Sequence, residues 1–168
     1  MSAATVRAVI ASFLASPAIP GVTKQYRAMP WYIDGANWNL ADNLGSGAVI
    51  ALHLANDDET RESGGQVIGL KDTDYVAFLV VLYQYLIPSG TQATAYQGDE
   101  YIDPLDAVIE AIKDRLHSDP SLGNPAVIKT SGQEPRDLHV ERSLPRREPG
   151  KLLAWNTIRF SVTEVIQA

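Results

Sequence analysis

The segment NDDETRESGG at residues 56–65 places four carboxylates within six positions. They are Asp57, Asp58, Glu59 and Glu62. Hard cations such as Mg²⁺ and Ca²⁺ take carboxylate oxygens as ligands, so this group is a candidate metal site. Its spacing does not match an EF-hand loop, however, and the glycines that follow favour a solvated hairpin tip. Asp99, Glu100 and Asp103 receive the same interpretation, and we expect no metal and no other cofactor.

The remaining polar groups do not form a known catalytic arrangement. The three histidines are scattered and form no HExxH pair; they are His53, His117 and His139. The sequence Gly45-Ser46-Gly47 is not a G-x-S-x-G nucleophile elbow and is interpreted as a turn before a strand. We therefore predict that the protein is not an enzyme. A small hydrolase that uses the carboxylates at 57–62 remains as an alternative.

The net charge of −6, from 14 basic and 20 acidic residues, argues against a protein that coats nucleic acid. A basic cluster nevertheless lies near the C-terminus, and it consists of Arg136, Arg142, Arg146 and Arg147. Glu141 and Glu148 can neutralise this cluster locally. Alternatively, the cluster docks on the acidic segment 57–62 of a neighbouring copy, because complementary charges set register and specificity. A nucleic-acid-binding module built on these arginines is a further alternative.

The elements that position these residues are organised around one long apolar segment, DYVAFLVVLYQYLIP at residues 74–88. It predicts a strand in which Gln84 is the only strongly polar interruption. Side chains alternate across a strand, so a strand with one solvated face should alternate apolar and polar residues. This strand is apolar on both faces, which predicts that each face is covered. Tyr83 and Tyr85 are therefore candidate interface residues.

Two amphipathic helices are predicted, and we expect both to pack on one face of the sheet. Ser2 or Thr5 is the predicted cap of the first helix, and Pro17 and Pro20 end it. Its apolar side is formed by Val6, Val9, Ile10, Phe13 and Leu14. The other face of the sheet then needs a partner, which indicates assembly rather than catalysis.

The second helix is predicted to begin with Asp103 as the N-cap and Pro104 as the first helical residue. It ends at Asp119-Pro120. Its apolar side is formed by Leu105, Val108, Ile109, Ile112 and Leu116.

The other segments predict strands at 22–28, 47–55 and 66–70, and a terminal hairpin of 138–142 with 151–166. In the last strand Ile158, Phe160 and Val162 point inward, and Arg159, Ser161 and Thr163 point outward. Strand runs separated by single helices indicate one α+β domain, residues 1–168, with a mainly antiparallel sheet. Long loops or arms are expected at about 56–65 and 89–102.

The loop at residues 29–44 contains three large aromatic residues, which are Trp31, Tyr32 and Trp38. They either pack beneath the loop as a satellite core or form a contact surface, since tryptophan and tyrosine are enriched at interface hot spots. The chain has no cysteine, which excludes disulfides and fits cytoplasmic synthesis. No apolar run approaches the roughly 20 residues of a membrane-spanning helix, and we expect no membrane association.

The order of several segments resembles the tail terminator proteins of long-tailed (siphovirus-type) actinobacterial phages. The segments are the N-terminal helix, YRAMPWYIDGANWNL, GSGAVIALHLANDDETR, VVLYQYLIP, DAVIEAIKDRLHSDPSLG, SGQEP and WNTIRFSVTEV. The resemblance covers nearly the full chain, and its motifs are structural rather than catalytic.

The resemblance implies an α+β virion subunit that forms a hexameric ring at the neck of the phage. Such a ring caps the finished tail tube, stops its polymerisation and joins it to the head-closure proteins. The partners would be other copies of the chain, the major tail tube protein and a neck protein, while DNA passes through the channel without specific binding. Another neck component, such as a head-closure or tail-completion protein, is the alternative. The candidate interface residues for this role are Trp31, Trp38, Tyr83, Tyr85, the acidic group at 57–62 and the basic cluster.

Overall fold

The computed structural model describes residues 3–30, 46–61, 70–90, 99–124, 128–129 and 138–167. These residues form two helices, α1 (Ala3–Ala15) and α2 (Asp99–Ser118). They also form seven strands: β1 (Val22–Tyr26), β2 (Gly47–Arg61), β3 (Leu70–Leu86), β4 (Ile128–Lys129), β5 (His139–Arg142), β6 (Arg146–Glu148) and β7 (Lys151–Gln167). The predicted α+β class is confirmed.

All seven strands belong to one sheet with the order β1-β2-β3-β7-β4, and β5 and β6 also pair with β7. Because β3 runs along one edge of β7 over its whole length, β4, β5 and β6 must share the other edge. Every strand pair is antiparallel except β1 with β2, which is parallel. The mainly antiparallel sheet was predicted, but the parallel edge strand was not.

Helix α1 buries Val6, Ile10, Phe13 and Leu14, which is the apolar side predicted from their helical spacing. It ends at Ala15, just before Pro17, as expected from the fixed backbone of proline. Thr5 is not the cap, because the helix begins at Ala3 and Thr5 lies inside its first turn. Ser2 lies outside the described residues.

Helix α2 begins at Asp99, five residues before the predicted first helical residue, so Asp103 is not its cap and Pro104 is not its first residue. The carboxylate of Glu100 favours this start, because negative charge at a helix N-terminus is stabilised by the helix dipole. The last part of the predicted loop 89–102 is therefore helical. The apolar side of α2 is as predicted, with Leu105, Val108, Ile109, Ile112 and Leu116 all buried.

The central strands are much longer than the five or six residues that are usual in globular proteins. β3 has 17 residues, β7 has 17 and β2 has 15. The predicted strand at 74–88 is confirmed, and it starts earlier, at Leu70. The acidic arm is also strand as far as Arg61, because residues 56–61 pair with 71–76 after a bulge between Leu54 and Asn56. The remainder of that arm, 62–69, lies outside the described residues.

Both helices pack on the same face of the sheet, as predicted, and this face forms the main core. Alternate residues of β3 point towards the helices, from Tyr75 through Leu79 to Tyr83. Gly21 permits close packing at one edge of this core. Its φ of 79° favours glycine, and an added Cβ would lie 2.4 Å from a methyl carbon of Val108 on α2.

The C-terminal part of the sheet forms the predicted terminal hairpin, with β6 inserted in its turn region. Gly150, with φ of 75°, closes the tight turn between β6 and β7. The predicted inward and outward positions in β7 are correct for Ile158 through Val162. Thr163 also lies on the outward side, in register with Asp74, but it is buried there and its hydroxyl donates a hydrogen bond to Asp74. No helix in the described ranges combines the length and apolarity that crossing a lipid bilayer requires.

Candidate assembly surface

On the face of the sheet opposite the helices, which we call the outer face, the described residues form a small apolar cluster. Val49, Val80 and Leu82 are buried there, beneath Tyr26, Met29 and Trp155. No described helix packs on this face. The chain therefore covers one end of the outer face with side chains from β1, β7 and the residues that follow β1.

The middle of the outer face is only partly covered. Val76 and Phe78 on β3 are half-buried, although they lie on the central strand of the sheet. A row of four residues in register crosses four strands at this point, and it consists of His53, Phe78, Arg159 and His139. All of its members except Phe78 are exposed.

Phe78 has a polar or charged group on each side. Its ring centroid lies 6.5 Å from that of His53, and the Arg159 guanidinium carbon lies 6.0 Å from it. A guanidinium near the face of an aromatic ring is attracted by the ring quadrupole. This combination of apolar surface and positive charge suits an apolar partner with an acidic rim, as in the centre of many protein interfaces.

The far end of the sheet holds a buried carboxylate that the sequence reading missed. Glu164 on β7 has no exposed surface, and its Oε2 accepts a hydrogen bond of 3.1 Å from the Tyr75 hydroxyl. A buried charge is costly unless it is hydrogen-bonded or paired, so this contact is structurally important. The alternation of the strand already indicated this position, because Glu164 follows Ile158, Phe160 and Val162 at intervals of two residues and therefore points inward with them.

Tyr83 does not fit its predicted interface role, because it is only 4% exposed and lies in the core beneath the helices. Burial raises the pKa of its hydroxyl above the ordinary value, with a smaller contribution from nearby Tyr85. Tyr85 lies on the same face at the rim of the core, and its hydroxyl donates to Glu100 on α2 at 3.2 Å. Partial burial and the Glu100 carboxylate raise the pKa of Tyr85. Both tyrosines therefore serve contacts within the chain.

The basic cluster is divided by its contacts within the chain. Arg142 forms an ion pair with Asp106 of α2, which fastens β5 to that helix. Arg146 lies 3.8 Å from Glu148, and Lys151 also pairs with Glu148 at 3.2 Å. Part of the predicted local neutralisation by Glu148 is therefore present. Arg147 is exposed and forms no ion pair within the described residues.

Several predicted interface residues lie wholly or partly outside the description. Trp31, Trp38, Glu62 and Arg136 are outside the described residues. Asp57, Asp58 and Glu59 are described as backbone only, and their register partners are Tyr75, Asp74 and Thr73 of β3. The predicted contact between the acidic segment and the basic cluster thus stays a prediction.

The sequence reading also missed the most exposed large apolar side chain among the described residues, Leu144. It lies between β5 and β6 and is 92% exposed. Its neighbour Ser143 is fixed to β7 by two hydrogen bonds with the Trp155 backbone. The Ser143 amide donates to the Trp155 carbonyl at 3.1 Å, and the Trp155 amide donates to Ser143 Oγ at 2.9 Å.

An open groove with a volume of about 720 Å³ lies between α1 and the segment from the end of α2 to residue 124. Its apolar lining includes Val9, Phe13 and Leu122. Arg115 forms part of its wall and donates hydrogen bonds of 2.9 and 2.7 Å to the Phe13 carbonyl. The groove is therefore built on a fixed helix-to-helix contact.

A scan against protein-family models found no matching family, and a search of curated proteins found no significant match. Within the described ranges, no three histidine, aspartate or glutamate side chains are grouped so that they could hold a metal ion.

Proposed function

We propose that the protein is a structural virion subunit that closes the tail tube of a long-tailed phage as a ring. The observation that carries this proposal is the half-buried Val76 and Phe78 on the central strand of the outer face. Apolar surface at the centre of a sheet face is stabilised when another layer covers it. A second subunit or a partner protein supplies that layer.

The arrangement of charge supports assembly rather than a small-molecule site. The row from His53 to His139 contributes positive charge at Arg159 next to the Phe78 ring. The chain contains 20 acidic residues, so a neighbouring copy can place a carboxylate next to Arg159. Closed rings use one heterologous interface repeated about an axis, which requires two different patches per subunit.

The sequence resemblance supplies the particular role. It implies a hexameric ring at the neck, which contacts the major tail tube protein on one side and a head-closure protein on the other. In that position the ring ends tube growth, and DNA passes through its channel without a specific site. The net charge of −6 is compatible with this role, because a channel lining should not bind phosphates tightly.

The test is polymerisation of the major tail tube protein with and without this protein. We expect growth to stop at substoichiometric amounts, with a ring visible at one end of each tube by electron microscopy. The mass in solution, alone and with tube protein, gives the copy number. A strict monomer in both conditions, with tubes that keep growing, contradicts the proposal. A ring that binds neck protein but leaves tube growth unchanged favours the alternative of another neck component.

A further inference from the structure

Leu144 is presented to solvent on a loop that is held in place on both sides. Two hydrogen bonds fix Ser143 to Trp155, and Pro145 restricts the backbone on the other side. The ion pair of Arg142 with Asp106 anchors the same loop to α2. A large apolar side chain held in a fixed, exposed position loses little conformational entropy on binding, which favours its use as an interface anchor.

The open groove beside α1 offers an apolar site of suitable size for such an anchor. It is separate from the Leu144 loop on the same molecule. Arg142 reaches α2 at Asp106, whereas the groove begins nine residues later, at Arg115. Nine helical residues correspond to about 14 Å along the helix axis. The two features are therefore two different patches of one subunit, as a heterologous contact requires.

The charges next to the two patches are complementary. Arg146 and Arg147 follow the Leu144 loop directly and are exposed. The solvent side of α2 carries exposed acids at Asp103, Glu110 and Asp114, which recur at helical spacing. Asp114 is exposed and lies next to Arg115 and one turn before Ser118, both of which line the groove.

We propose that Leu144 of one copy inserts into the groove between α1 and α2 of the next copy, and that Arg147 pairs there with Asp114. The inference rests on the proposed function, because it supplies the repeated contact of the ring. It also replaces the acidic segment 57–62 with α2 as the partner of the basic cluster.

Disulfide crosslinking tests this contact, and native cysteines cannot interfere because the chain contains none. One protein carries Leu144→Cys and a second carries Ser12→Cys, a groove position on α1. A disulfide requires Cβ atoms about 4 Å apart, so oxidation of the mixture should give a mixed dimer only if the two sites touch. When one chain carries both substitutions, oxidation should give a series of covalent oligomers, and the largest should contain as many copies as the ring. The matched control replaces Ser12→Cys with Ala107→Cys, which is exposed on α2 outside the groove.

Substitutions measure the strength of the contact. Leu144→Ser should weaken self-association about tenfold or more, since a buried leucine contact is lost. Arg147→Glu should weaken it as well, and adding Asp114→Arg in the same chain should restore it. Because Leu144 and Arg147 are exposed, the circular dichroism and thermal melting of each monomer should stay unchanged.

The outcomes separate this contact from the proposed function. Rings that form normally with Leu144→Ser, or a mixed dimer no stronger than in the Ala107→Cys control, overturn the contact and leave tube closure standing. An unmodified protein that stays monomeric with tube protein overturns both. Loss of the ring in Leu144→Ser, with recovery of Arg147→Glu by Asp114→Arg, supports both.

Discussion

At the scale of single residues, the pairing of Glu164 with Tyr75 shows how one strand position is constrained. The carboxylate is fully buried, and the tyrosine hydroxyl reaches it across the sheet from β3. Leaving a buried charged acceptor with one hydrogen bond fewer costs more than the bond itself contributes, because water cannot replace the donor. The contact therefore stabilises the long β3–β7 pair at its far end.

We predict that Tyr75→Phe lowers the free energy of unfolding by about 1–3 kcal/mol, because it removes the donor and keeps the ring. Denaturant titration of the purified monomer measures this change. Tyr85→Phe is the matched control, since its hydroxyl bonds an exposed carboxylate, Glu100, and a clearly smaller change is expected. Equal effects of the two substitutions would contradict the special role of the buried pair.

At the scale of elements, the sequence pattern predicted most of the helices and strands, and each wrong prediction has a physical cause. Helical spacing identified both apolar sides of α1 and α2, and the doubly apolar segment identified β3. The start of α2 was missed because Asp103-Pro104 is a strong local signal, while the true start depends on tertiary contacts such as Tyr85 with Glu100. The parallel pairing of β1 with β2 was not predicted, because the relative direction of two strands has no signature in the local sequence.

The residues of the candidate assembly surface were less predictable than the helices and strands. Tyr83 and Tyr85 have the composition of interface residues, but strand parity places them on the helix side, where they are covered. Parity alone could not decide which face the helices would take. Leu144 was not predicted, because a single leucine in a polar turn has no periodicity; its exposure of 92% is visible only in the three-dimensional structure.

Arg115 is the residue that joins the two helices. Its guanidinium donates to the carbonyls of Phe13 and Ser16 at the end of α1, and it lies 4.1 Å from the Phe13 ring centroid. A cation at a helix C-terminus is favoured by the helix dipole, and the planar guanidinium can serve two carbonyls at once.

We predict that Arg115→Ala lowers the free energy of unfolding by about 1–3 kcal/mol, since hydrogen bonds from a charged donor and a ring contact are lost. Arg115→Lys should recover little of this loss, because an ammonium group lacks the planar fork. The control is Lys113→Ala, which removes only an exposed pair with Glu110, and about 0.5 kcal/mol is expected for such a pair. A thermal or denaturant unfolding curve for each variant gives the comparison. A lysine that fully replaces Arg115 would show that charge alone acts there.

At the scale of the whole molecule, the subunit is layered unequally. One face of the sheet is covered by two helices, whereas no described helix covers the other, on which Val76 and Phe78 are only half-buried. Such a subunit has spare apolar surface on one side and a separate exposed anchor at Leu144. In the proposed assembly the two features have different tasks: the Leu144 loop and the groove form the repeated contact of the ring, and the outer face meets a different protein.

This division of tasks predicts the effect of a charge on the outer face. Phe78→Glu should leave the ring mass unchanged but abolish capping of tail tubes, because a carboxylate facing an apolar partner surface loses hydration without compensation. Leu144→Ser should have the opposite effect: at low protein concentration the ring should dissociate, while the separate subunits still bind tube ends weakly. Ser89→Glu adds the same charge in the exposed turn after β3, away from both surfaces, and should change neither property. Ring mass by light scattering and tube length by electron microscopy read the two tasks independently. If Phe78→Glu also dissociates the ring while the monomer stays folded, the outer face is itself the contact between subunits. The tail tube would then bind another surface of the ring.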